Sequence, residues 1–360
     1  MLWKKKRVYL DYAAGAAGNP SSPHEEGRKA KKMLEDARTS IARLLEVQSD
    51  DVIFTSGATD SNALAILGLA KAGDHVLYLP SAHASIVENM KLLGERGVSV
   101  ETLPIRDCKV DVQQLAKMIR PETKFISMDA VCGETGVIWN TREVKQVIGK
   151  IFLHVDASQA PLTEKITRAH FAADLLTLDG AKVGVRGIGV LIAHRTIPLS
   201  PLYRGGGQER GLRPGSESPE LAREFAAALN ATAHNRETFR ASAEQMRARL
   251  IEAIRNIPNM FVNESRLNAS NILNLSLPGR DTDYLVALLD EAGFAVSTRS
   301  ACETDSEEGS RAVFALTGDR VRAKSTLRIS WNADVSSRDL NRFAAALMRA
   351  VAFIDNSSRG

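Results

Sequence analysis

Cysteine is scarce in this 360-residue chain: three occur, Cys108, Cys132 and Cys302, and no two are spaced as a CxxC pair. Such a set builds neither a disulfide framework nor a zinc site of the usual spacing, so no metal site is expected, and a reducing cytoplasm fits it best. Aromatic residues are only 5% of the chain, which argues against stacking platforms for single-stranded bases. Charge of one sign is also lacking: 47 Lys and Arg stand against 43 Asp and Glu, a net +4, and the two signs are interspersed. Nucleic acid is thereby disfavoured as the main partner. The longest apolar runs, such as residues 187–193, fall far short of the roughly 20 residues that span a bilayer, so no membrane segment is expected. The basic start Lys4-Lys5-Lys6-Arg7 leads into a short Val8-Tyr9-Leu10, not the apolar stretch of a secretion signal. What the chain does have is 44% apolar and 25% charged residues, close to the globular average, over a length that allows two or three domains.

Strand and helix patterns alternate along the first half. Ala30, Met33, Leu34, Ala37, Ile41, Leu44 and Leu45 recur at helical spacing, and short apolar strands follow at 52–55, 75–79, 98–105, 124–131 and 151–156, separated by helices near 61, 86–96, 112–119 and 142–150. Further strands are read at 174–178 and 189–194. This is an α/β wound sheet with mostly parallel strands, whose ligand sites gather at strand ends. A glycine-rich stretch at 204–211 breaks the pattern, and a long helix over 219–257 leads to a smaller α+β domain. That domain is read with strands at 272–277, 294–298 and 326–331 and helices at 283–292 and 337–354. Residues 1–230 are taken as the large domain and 231–360 as the small one.

Three places attract chemistry. Gly57-Ala58-Thr59 joins a strand to a helix, so its amides face an anion at the positive helix end. Asp156 closes an apolar strand, a costly place for a carboxylate unless it meets a cation or a protonated nitrogen. Lys182 follows the next apolar strand, 174–178. Together Asp156 and Lys182 suggest pyridoxal phosphate, whose ring nitrogen takes an aspartate and whose aldehyde takes a lysine.

Six ordered stretches carry a resemblance: Tyr9-Leu10-Asp11-Tyr12-Ala13-Ala14, Gly18-Asn19-Pro20-Ser21-Ser22-Pro23-His24, Phe54 to Asn62, Val155-Asp156-Ala157-Ser158-Gln159-Ala160, Gly205 to Gly211, and Ser300-Ala301-Cys302. Over nearly its whole length the chain resembles the cysteine desulfurases of the class V aminotransferase family. The resemblance implies a homodimeric fold-type I enzyme in which Lys182 holds pyridoxal phosphate as a Schiff base. Asp156 would pair with the pyridinium nitrogen, Gln159 reach the phenolic oxygen, and His83 stack on the ring and handle protons. Ala58 and Thr59 would bind the phosphate, and Ser216 would be lent across the dimer interface to the neighbour's phosphate. Arg328 would clamp the carboxylate of L-cysteine with help from Asn19. Cys302 would take the sulfur as a persulfide and leave alanine; its polar neighbours suit a loop that carries sulfur to a protein acceptor such as an iron–sulfur scaffold or a thiol carrier. Cys108 and Cys132 lack that context and are read as inert.

The chain departs from the family pattern at four places. Asp179-Gly180-Ala181-Lys182 stands where the family has Ser-Gly-His-Lys, which removes two phosphate ligands and would set a carboxylate against the phosphate if it pointed inward. Cys132-Gly133 replaces paired asparagines, Ala82 replaces a glutamate before the stacking histidine, and a helical segment between Ala14 and Gly18 is missing. Two other readings therefore stand beside the desulfurase: a selenocysteine lyase or other amino-acid lyase with the same cofactor, and a non-catalytic dimeric scaffold.

Overall fold

The computed structural model describes residues 7–15, 18–298 and 309–357. Seven strands form the main sheet, in the spatial order Val52–Thr55, Gly189–Ala193, Leu175–Asp179, Phe152–Asp156, Thr123–Asp129, His75–Tyr78, Ser99–Thr102. The central strands are nearly continuous apolar runs because helices cover both faces of the sheet, as parallel sheets require. Five strands pair in parallel in the order 175–179, 152–156, 123–129, 75–78, 99–102. Gly189–Ala193 runs antiparallel to both of its neighbours. The reason is chain length: only residues 180–188 link it to Leu175–Asp179, fewer than the dozen or so that a parallel crossover needs.

Buried apolar residues fall into two clusters. The larger surrounds the seven-stranded sheet and takes Ala222, Phe225 and Leu229 from the start of the helix Pro219–Ile254. The smaller takes Ala243, Met246, Leu250 and Ile254 from the end of that helix. It packs them against a three-stranded antiparallel sheet, Phe261–Val262, Ile272–Ser276 and Thr326–Ser330, and the helix Ser337–Ser357. Among the described residues no helix is long and apolar enough to cross a membrane.

Two strand readings change. The stretch 98–105 divides at Pro104 into Ser99–Thr102 and a hairpin, Ile105–Arg106 with Lys109–Val110, whose two turn residues Asp107 and Cys108 both have positive φ. The stretch 294–298 is not a strand: Ser297 alone bridges Arg328, since Phe294 and Val296 are anchored instead by the small core. Two short helices, Arg311–Thr317 and Arg320–Lys324, are additions to the sequence reading.

Candidate active site

Three adjacent parallel strands, Thr123–Asp129, Phe152–Asp156 and Leu175–Asp179, each end in an aspartate that lines one cavity. Asp156 ends the strand Phe152–Asp156 and is only 6% exposed. Its Oδ2 accepts a hydrogen bond from Asn62 Nδ2 at 2.7 Å and its Oδ1 one from the Ser158 amide at 2.9 Å. Both donors favour the anion, which is what a cationic ring nitrogen would meet.

Asn62 lies in the helix Ala58–Leu67 and gives its second amide hydrogen to Ser85 Oγ at 2.9 Å. The Ser85 hydroxyl is 2.8 Å from His83 Nδ1, which also accepts from the Ser85 amide at 3.2 Å. His83 is thus the N-cap of the helix Ala84–Glu95. With Nδ1 occupied as an acceptor, the neutral imidazole carries its hydrogen on Nε2. Ala82, buried in the core, is not the partner this histidine needs; Ser85 fills that role.

Lys182 stands in the 3-10 turn Gly180–Val183, directly after the strand Leu175–Asp179. A cavity here is lined by Lys182, Asp156, Gln159 and His83, together with Ala58 and Thr59. Gly133 borders it closely: a Cβ there would lie 2.8 Å from Gln159 Nε2, so the missing side chain is what seats the glutamine amide. Gly57, at φ 147°, precedes the helix that carries Ala58 and Thr59 and supplies no side-chain cap, leaving the first amides of the helix free for an anion. Asp179 does not turn fully away. It lines the same cavity, its Oδ1 accepts from the Ala181 amide at 3.2 Å, and a Cβ on Gly57 would lie 3.7 Å from that oxygen. The residues present therefore fit a ring with a cationic nitrogen and a lysine-reactive aldehyde, with a carboxylate beside the place its phosphate would take.

Arg328, on the strand Thr326–Ser330, reaches the adjoining cavity and donates from Nη1 to the Gly133 carbonyl at 3.2 Å. That cavity shares His83, Gln159 and Lys182 with the first, so a lysine and an arginine face one space. Cys132 also borders it, but burial, and then the nearby Asp129, push its thiol up to about 11, which leaves it unreactive. Burial likewise raises Cys108.

Two expected residues are not brought to this space. Ser216 lines a separate cavity with Ser56 and Arg213. Asn19 bonds within its own segment, to the Ala14 carbonyl at 3.2 Å and from the Ser21 amide at 2.8 Å. Cys302 lies outside the described residues. Conversely, sequence reasoning passed over Asn62 and Asp129. Asp129 ends the strand Thr123–Asp129, opposite Asp156 in the register, and lines both cavities. Its position one strand over from Asp156 was the available signal.

Comparison with known proteins decides the family. The family model described as aminotransferase class-V matches residues 6–343. The chain belongs to the class-V aminotransferases. Among curated members, cysteine desulfurase IscS 1 of Archaeoglobus fulgidus is 32% identical over 94% of this chain and 91% of its own length. Putative cysteine desulfurase IscS 1 of Bacillus subtilis is 30% identical over 91% and 93%. Among solved structures, DndA from Streptomyces lividans superposes with a TM-score of 0.75 at 30% identity, covering 89% of this chain and 94% of that one. SspA in complex with cysteine gives 0.74 at 30% identity, covering 89% and 92%. A NifS-like protein gives 0.86 at 26% identity, covering 95% and 93%. The architecture is accordingly that of the fold-type I, pyridoxal phosphate-dependent members of the class-V aminotransferases.

Proposed function

We propose that this class-V aminotransferase is a pyridoxal phosphate-dependent L-cysteine desulfurase. The observation that carries the reading is the shared cavity of Lys182 and Arg328, an amine that can exchange with a substrate amine and a guanidinium that can grip its carboxylate. Bound there, the cofactor supplies an electron sink for the pair released at the substrate's α-carbon. Arg328 orients the carboxylate, and Lys182 moves the α-proton. Asp156, held by Asn62 and Ser158, keeps negative charge at the cavity floor. His83 borders the same space.

Cys302 is the sulfur acceptor in this reading. Its thiol attacks the substrate sulfur, the Cβ–S bond breaks as the S–S bond forms, and the proton lost by the thiol is balanced by one gained at Cβ. Cysteine plus protein thiol thus gives alanine plus protein persulfide. The working unit is a homodimer: Ser216 stands apart from Lys182 within one chain, as a residue lent to a neighbour would. The division into 1–230 and 231–360 is supported by the helix Pro219–Ile254, whose buried residues up to Leu229 belong to the larger core and those from Ala243 on to the smaller, while Ala269, Ile272, Ala312 and Leu316 of the second part pack in the larger core. Asn19 assists Arg328, the enzyme works in the cytoplasm, and a protein scaffold or thiol carrier takes the sulfur. The test is production of alanine and sulfide from L-cysteine by wild type and Cys302→Ala. The variant should keep the cofactor and lose sulfur release; full sulfide production by it overturns the assignment.

A further inference from the structure

Two carboxylates end adjacent parallel strands side by side. Asp129 and Asp156 are register partners, 4% and 6% exposed, and both border the cavity that Lys182 enters. Their hydrogen bonding is unequal. Asp156 accepts two bonds of ordinary length, at 2.7 and 2.9 Å, whereas the His83 amide reaches Asp129 only at the long distance of 3.5 Å. Two buried carboxylates this close do not both ionise, and the proton settles on the one whose anion is less well held.

We propose that Asp129 and Asp156 form one carboxyl pair with a single negative charge, which Asp156 carries while Asp129 stands beside it as a neutral acid. Asp129 is then a positioning residue: it confines the anion to the atom pair that Asn62 and Ser158 hold, and it offers the cavity an O–H donor where a second anion would stand. A neutral acid kept in this way serves other active sites as a hydrogen-bond donor. Burial first, and then the charge of Asp156, hold the Asp129 carboxyl well above the usual range.

The surrounding charges do not undo this. Arg311 favours the anion of Asp129, but its effect is smaller than those of burial and Asp156. Lys182, Arg328 and one more carboxylate, Glu134, line the adjoining cavity together with Asp129. His154, two residues before Asp156, is held neutral by burial, Cys132 stays a thiol, and Nδ1 of His83 accepts hydrogen bonds.

The pairing rests on the proposed function only for its purpose, and its test does not use the reaction. Infrared difference spectra of cofactor-loaded wild type against Asp129→Asn at neutral pH should show the carbonyl band of a neutral carboxyl, present in wild type and lost in the variant. Wild type against Asp156→Asn should show carboxylate bands instead. Carboxylate bands in the first difference, or the neutral band in the second, overturn the proposal. A third comparison keeps it falsifiable if either variant folds poorly: Asn62→Leu removes a donor from Asp156, so the neutral-acid band of the otherwise wild-type pair should shift or weaken. An unchanged band overturns the role given to Asn62. Absence of alanine production by wild type would count against the desulfurase reading while these bands remained.

Discussion

Asn62 and Asp156 are joined at 2.7 Å, and the same amide reaches Ser85 at 2.9 Å, so one side chain ties the cavity-floor carboxylate to the histidine beside it. The direction of the bonds is fixed by chemistry. A carboxylate only accepts, so the nitrogen of Asn62 faces Asp156 and the Ser85 hydroxyl is left to donate to His83.

Removing that amide is the first prediction. Asn62→Ala leaves Asp156 with the Ser158 amide alone, and a hydrogen bond to a charged group contributes about 1.5 to 3 kcal/mol. Pyridoxal phosphate should bind roughly 10 to 100 times more weakly, read from absorbance titration of cofactor-free protein. Ser85→Ala, which cuts only the branch to His83, should weaken binding less and lower turnover more. Equal effects of the two changes would sink the bridging role.

Arg328 should separate binding from chemistry. Lysine keeps the charge but loses the forked geometry, so Arg328→Lys should raise KM for L-cysteine about 10- to 100-fold with the cofactor spectrum intact. Lys182→Ala should instead lose the absorbance of covalently held cofactor altogether. A normal KM in the arginine variant would remove Arg328 from the carboxylate site.

Asp179 and Gly133 predict opposite outcomes for what look like parallel repairs. Asp179 lines the same cavity as Ala58 and Thr59, the phosphate ligands proposed here, so Asp179→Ser should tighten cofactor binding, on the order of tenfold, with the gain shrinking at high salt. Gly133→Asn should not help. Its Cβ would lie 2.8 Å from Gln159 Nε2, so the glutamine has to leave its seat and the cofactor should bind no better or worse. Cofactor titrations of both variants check the pair of expectations.

These cases also mark what could be read without coordinates. Asp156 and Lys182 were legible because a charged residue at the end of an apolar strand is conspicuous, and the sheet was legible because helix and strand periods alternate. Asn62 was not, since nothing local distinguishes one asparagine in a helix from another; its meaning arises from Asp156, 94 positions away. The antiparallel course of Gly189–Ala193 was hidden for a similar reason, because an apolar run looks the same in either direction and only the short link from Asp179 decides it. At 294–298 the alternation Phe294, Val296 resembled a strand, yet it serves packing, with one bridge at Ser297.

The sheet also carries a pH-sensitive element, His154, which is fully buried between Ser127 Oγ at 2.8 Å and Thr177 Oγ1 at 3.1 Å. Burial lowers its pKa from 6.5 to about 4, while the nearby Asp156 acts in the opposite direction. The folded protein therefore binds the proton less readily than the unfolded chain does. Stability from this group is complete above 6.5 and is lost as pH falls from 6.5 to about 4, because the unfolded state takes up the proton first. The loss is on the order of 3 kcal/mol when fully developed, since each tenfold difference in proton affinity between the two states corresponds to about 1.4 kcal/mol. Chemical denaturation between pH 7 and pH 4 should show it, and His154→Gln, which retains hydrogen-bonding groups without the titration, should flatten that part of the curve. An identical acid slope in the variant would assign the loss to other groups.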